Sequence, residues 1–119
     1  MLPISFLGLV LAGCATTQGS YQALSGSTPS RPADCQVEVF RDAKPQRPYV
    51  EVSHLNVHLE KTFFAPSDFD DAKAELKHQA CLSGADAIIE VRELSSSYLE
   101  TRIFNVSGIG VRFQDSAQP

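Results

Sequence analysis

The apolar residues of this chain fall into two periods. In residues 35–41, CQVEVFR, Val37 and Val39 alternate with polar neighbours, the pattern of a half-buried strand, and AKPQRP ends that strand with two prolines. Residues 49–64, YVEVSHLNVHLEKTFF, open with Val50 and Val52 in one phase and continue with Leu55, Val57 and Leu59 in the other. A regular strand would turn one of these sets to solvent, so the phase change predicts a β-bulge near Ser53-His54. The period then lengthens: Phe69, Ala72, Leu76 and Ala80 recur on one narrow face of a helix. Ser67 can cap that helix, Asp68, Asp70 and Asp71 place negative charge at its positive end, and Gly84 supplies the stop. Ala87-Ile88-Ile89-Glu90-Val91 is a compact apolar strand, Ser95-Ser96-Ser97 reads as a turn, and Leu99 to Phe113 forms a long last strand. Within it Ile109, Val111 and Phe113 alternate, and the step from Val106 to Ile109 breaks the period at Ser107-Gly108, a second bulge position.

The resulting order is ββαββ. A helix between two strands favours a right-handed parallel crossover, so the expected fold is α+β: a small mixed four-stranded sheet with one helix packed on one face. This domain spans residues 35–114, and 115–119 read as a disordered tail.

Upstream, Leu2–Gly13 (LPISFLGLVLAG) is an apolar run too short to cross a bilayer as a helix and long enough for the core of an export signal, although no Lys or Arg precedes it. Leu11-Ala12-Gly13-Cys14 resembles the lipobox of bacterial lipoproteins. That resemblance implies a signal peptide over residues 1–13, cut before Cys14, with lipid on the Cys14 thiol and amine. Small residues before the cut leave the backbone open to a peptidase, and the thiol accepts the lipid. Ala15, where an Asp would favour retention in the inner membrane, points to the outer membrane. Residues 14–34 then form the lipidated Cys and a flexible tether, rich in Ser, Thr, Gly, Pro and Gln. A flexible stretch of about 19 residues has a root-mean-square span of ~24 Å and an extended limit of ~65 Å.

Beyond Cys14 two cysteines remain, Cys35 and Cys81. In an exported domain they favour a disulfide, which would close the loop 35–81 and contribute at most ~4 kcal/mol. Cys81 lies away from the centre of the helix's apolar face, so a bridge would form at its flank. Two free, buried thiols are the alternative.

Candidate chemistry is sparse. With 10 Lys+Arg against 14 Asp+Glu and a net charge of -4, the chain lacks the basic excess that nucleic-acid binding draws on. His54 and His58 suggest a pair of metal ligands on one strand face, but no Cys or carboxylate stands at a spacing that completes a tetrahedron, and the expected bulge disturbs that face. Asp68, Asp70 and Asp71 lack the Gly and distal Glu of a calcium loop. Gly108-x-Gly110 lies in a strand with no helix after it, and no Gly-x-Ser-x-Gly elbow accompanies the histidines. The expectation is therefore no enzyme, no cofactor and no metal site.

Cys35-x-Val37-x-Val39-Phe40, HLEKTFF at 58–64, ELKHQACLSGADAIIEV at 75–91 and YLETRIFNVSGIGVRF at 98–113 together resemble small bacterial lipoproteins of unassigned function. The layout of lipobox, tether and domain is also similar to the outer-membrane stress-sensor lipoprotein of the Rcs phosphorelay and, more loosely, to YbjQ-like oligomer-forming domains. These resemblances imply a lipid-anchored protein on the periplasmic side of the outer membrane. It would act as a protein-interaction or stress-sensing module with an envelope protein or a second copy as partner. A small-ligand or metal-binding lipoprotein is the alternative.

Overall fold

A computed structural model describes residues 16–24, 28–62, 69–98 and 101–114. Its elements are β1 (Thr16–Ala23), β2 (Glu38–Val39), β3 (Tyr49–Thr62), α1 (Phe69–Leu82), β4 (Ala87–Tyr98) and β5 (Thr101–Phe113). The α+β expectation holds, with one helix on a mixed sheet, but the strands number five, in the order β1-β3-β5-β4-β2. β3 and β4 are both antiparallel to β5 and therefore parallel to each other, with α1 as the crossover and β5 filling the gap between them. β2 adds at the far edge, parallel to β4 over Glu38↔Ala87 and Val39↔Ile88, and is much shorter than the 35–41 expected.

The additional strand, β1, comes from the stretch read as tether. It pairs antiparallel with β3 from Thr16↔Glu60 to Ala23↔Ser53. Only Gly19 of its residues is even partly buried, so no apolar alternation marks it; an edge strand bonded on one side needs none. The chain after it is also fixed. The Arg31 N–H donates to the Cys81 carbonyl at 2.8 Å, and its guanidinium donates to the Ala85 carbonyl at 2.8 Å and lies 3.3 Å from Asp86. A free tether is therefore corrected for residues 16–24 and 28–34; Cys14 and Ala15 lie outside the described residues.

The first bulge falls where the phase change put it, as a register shift between Glu51 and Ser53 against β5. The second does not. β5 runs regularly through Asn56↔Ser107 and Leu55↔Gly108, and the shift lies in the opposite strand, between Ile89 and Arg92. The broken period in β5 has another cause, since both faces of the sheet are covered at this end. Phe104 and Val106 join the helix-side core of Leu55, Val57, Leu59, Leu76 and Ile88. Val111 and Phe113 join a second core with Ala87 and Ile89, against which Phe40, Tyr49 and Ile109 pack. Arg47 also lies over this second face, its guanidinium 3.9 Å from the Phe113 ring, whereas Arg41 reaches the helix side, 4.1 Å from the Phe69 ring. Gly108 is required on the helix side, where a Cβ would stand 2.7 Å from Ile88 Cγ2. Ser95 and Ser96 are also not a turn: they pair with Phe104 and Ile103, and the strands close only at Tyr98↔Thr101.

α1 ends as expected. Gly84, at φ 84°, lies just past the helix, with its N–H on the Cys81 carbonyl and that of Ala85 on the Ala80 carbonyl, a glycine-stopped C-terminus. The expected caps Ser67 and Asp68 lie outside the described residues. The Ser53 and Ser83 hydroxyls meet at 2.8 Å, and Ser83 donates onward to the Ala80 carbonyl, tying the β3 bulge to the helix end.

Cys35 and Cys81 form a disulfide with Cα atoms 5.8 Å apart. Cys81 is fully buried near the end of α1, the flank position its phase implied. Reduction is expected to cost about 2–4 kcal/mol, with a fall in Tm of roughly 4–8 °C for each kcal/mol. Calorimetry with and without reductant measures it, and an unchanged Tm would contradict this account.

Candidate functional site

The β3 bulge decides which side chains face away from the helix. Leu55, Val57 and Leu59 enter the helix-side core, so His54, Asn56, His58 and Glu60 take the other face. Register then sets Gln22, Ser20 and Gln18 of β1 beside His54, Asn56 and His58. On the other flank stand Ile109, Ser107 and Asn105 of β5, followed by Arg92 and Leu94 of β4. The face is built mostly of amides, hydroxyls and imidazoles. A trough of about 440 Å3 opens in it between Ser20 and Gln22 on one wall and Glu90 and Arg92 on the other, with His54, Asn56 and Ser107 along its floor. A second hollow of about 400 Å3 adjoins it at Asn56, Arg92, Leu94 and Asn105.

Two features carry the local electrostatics. His58 Nδ1 lies 2.7 Å from Asn105 Oδ1, and its Nε2 lies 2.7 Å from Glu60 Oε2. Oxygens at both ring nitrogens favour the imidazolium, and the Asn105 bond, then the Glu60 bond, raise the His58 pKa above its usual value. Arg92 and His54, by contrast, have no side-chain hydrogen bond or ion pair among the described residues. They leave a cation and an imidazole to whatever enters the trough.

Glu90 is a non-glycine residue at φ 51°, placed where the β4 register shifts. A left-handed residue in a bulge is ordinarily glycine, because a Cβ there costs about 1 kcal/mol.

β4 also has an open outer edge. β2 covers only its start, up to the bond from the Phe40 N–H to the Ile88 carbonyl. From Glu90 onward no strand lies outside β4 among the described residues, and Leu94 is 71% exposed.

The residues singled out from sequence are dispersed. His54 and His58 do share a face, because the bulge precedes both. His58 is spent on Asn105 and Glu60, however, while His78 lies on α1. Asp71 pairs with Lys61 at 2.9 Å. No cluster of three His, Cys, Asp or Glu able to hold a metal occurs among the described residues. Gly108 and Gly110 are packing positions under Ile88 and Ser53. Glu90, Arg92 and Leu94 were not singled out; the one signal was a strand that stayed polar after Val91, hidden by the lack of glycine at the bulge.

No protein-family model matches the chain, and no curated protein matches it. Among solved structures, the crystal structure of a Francisella virulence factor, FvfA, in its orthorhombic form is similar. Its TM-score is 0.50 at 19% identity over 84% of this chain and 100% of that one. At that identity the likeness is one of fold.

Glu90→Gly is expected to raise stability by about 1 kcal/mol, read as a higher urea midpoint at unchanged slope. His58 should make stability pH-dependent. Because its pKa is raised on folding, its contribution is full below the ordinary value of 6.5 and is lost as pH rises through the raised value. The effect is small at a half-exposed site. His58→Gln should remove it, as comparative denaturation across neutral pH would record.

Proposed function

We propose that this chain is a non-catalytic, lipid-anchored module on the periplasmic side of a bacterial outer membrane, and that it recognises a partner protein through the outer edge of β4. The observation that carries this reading is the outer edge of β4, along which no strand pairs beyond Ile88 among the described residues, with Leu94 exposed beside it. A strand edge of this kind can pair with an extended segment, whose backbone gives affinity while Arg92 and Leu94, alternating with Glu93, give side-chain selection. The anchor rests on the Leu11-Ala12-Gly13-Cys14 lipobox, with lipid at Cys14. The Cys35–Cys81 disulfide suits an oxidising compartment. The Rcs sensor and the small lipoproteins set a precedent for such a layout.

A second reading, a small-ligand-binding lipoprotein, is favoured by the polar trough. Its volume of about 440 Å3 is within the range of small-molecule sites, and Arg92 and His54 stand uncommitted in it.

Two outcomes are expected. Cys14→Ser should abolish incorporation of a fatty-acid analogue and release the protein from the membrane fraction or leave it uncleaved; incorporation that survives would remove the anchor. A photo-crosslinker in place of Leu94 should capture a discrete protein partner in intact envelopes. The capture should be competed by wild-type protein but not by the Leu94→Lys variant, whose stability should stay within about 0.5 kcal/mol at so exposed a site. Crosslinking equal to that from an exposed β1 position would refute the edge as the binding surface.

A further inference from the structure

The length of chain between the proposed lipid and the folded sheet is very short. β1 begins at Thr16, and Cys14 stands two residues before it. Two residues span at most about 7 Å. The headgroup layer on one side of a bilayer is of similar depth. Resting on the lipid-anchor reading above, we infer that the sheet stands end-on against the bilayer, with the end that holds Thr16 facing the lipid.

Register identifies that end. Thr16 sits opposite Glu60, Thr62 opposite Thr101, and Tyr98 also opposite Thr101, so the start of β1, the end of β3 and the close of the β4–β5 pair all lie together. The start of α1 follows from the same end of β3. At the other end of β1, Ala23 pairs with Ser53, which pairs with Gly110, beside the second core and the 41–48 segment. The strand separates the two ends by about 23 Å at ~3.3 Å per residue.

The charges at the lipid-facing end show what would hold it there. Among the described residues, Lys61 and Arg102 are matched by Glu60, Asp70 and Asp71, and Lys61 is paired with Asp71. With two cations against three carboxylates, the described part of this surface has no excess of cations to attract anionic lipid. The acyl chains and the short link therefore set the orientation, and it should not respond to salt. The open edge of β4 then rises from the membrane, with Tyr98 nearest the lipid and Glu90 farther out.

The chain contains no Trp, so single Trp reporters are unambiguous. Acylated full-length protein would be reconstituted into vesicles of phosphatidylethanolamine and phosphatidylglycerol carrying a nitroxide on the headgroup. Fluorescence quenching would then be compared for Arg102→Trp at the lipid-facing end and Gln46→Trp at the far end, with Thr16→Trp as a second lipid-facing reporter should Arg102→Trp not fold. Quenching several-fold stronger at the lipid-facing reporter, unchanged in high salt, is expected. A Gly/Ser spacer of about twenty residues between Ala15 and Thr16 should abolish the difference while the protein still floats with the vesicles. Equal quenching at both reporters in protein that floats overturns the orientation alone, as does a difference that survives the spacer. Protein that does not float overturns the anchor, and the orientation with it.

Discussion

The fold depends on fastening the chain where it passes from one edge of the sheet to the other. β1 and β2 follow one another in sequence yet occupy opposite edges, so residues 24–37 must travel the full width of the sheet. Such a crossing has few apolar residues to bury, and it is held by specific bonds at the C-terminal end of α1. The Cys35–Cys81 bridge, the Arg31 N–H on the Cys81 carbonyl and the Arg31 guanidinium on Ala85 and Asp86 all act there. Gly84 belongs to the same junction, because its left-handed turn brings the helix end against Thr28, where no Cβ would fit. One covalent bond thus secures both edge strands, since releasing residues 28–36 would loosen the chain into β1 and the chain into β2 together.

A second consequence follows from the strand order. With β5 central and bonded on both sides, the sheet has a helix-covered face and a face that, among the described residues, is shielded at one end by Phe40, Tyr49 and Arg47. The rest of that second face stays wet, and it is there that the amides, hydroxyls and histidines collect. The bulge between Glu51 and Ser53 makes this division possible. It lets β3 turn Leu55, Val57 and Leu59 toward α1 while keeping His54, Asn56 and His58 on the open side.

Residues that must be apolar were legible in the sequence. The helix face of Phe69, Ala72, Leu76 and Ala80, the β3 phase change and the Gly84 stop all depend on burial or on a φ that side chains resist, and both leave a mark in residue type. Three features were hidden for a common reason. β1, the extension of β4 through Ser95 and Ser96, and the β4 bulge at Glu90 are formed by backbone pairing near solvent, where polar residues satisfy strand and loop equally. The reading of Ser107-Gly108 as a bulge failed differently: periodicity assumes one buried face, and the end of β5 has two. The candidate site was least legible of all. It is assembled from polar residues on four strands that only register brings together.

The polarity that disguises β1 as a tether also suits it to an edge. An apolar strand of that length with one unpaired side would invite pairing with other chains. Thr16, Thr17, Gln18, Ser20 and Gln22 instead keep its outer side hydrated, and Gly19 lets the Glu75 side chain of α1 lie against the backbone. The cost is that β1 rests on its ladder to β3, on Glu75 against Gly19 and on the junction that follows it, and adds little to the core, which makes it the strand with the least to lose on opening. The strand that joins the proposed anchor to the domain is therefore also its least buried, and a pull on that anchor would meet the β1–β3 ladder first.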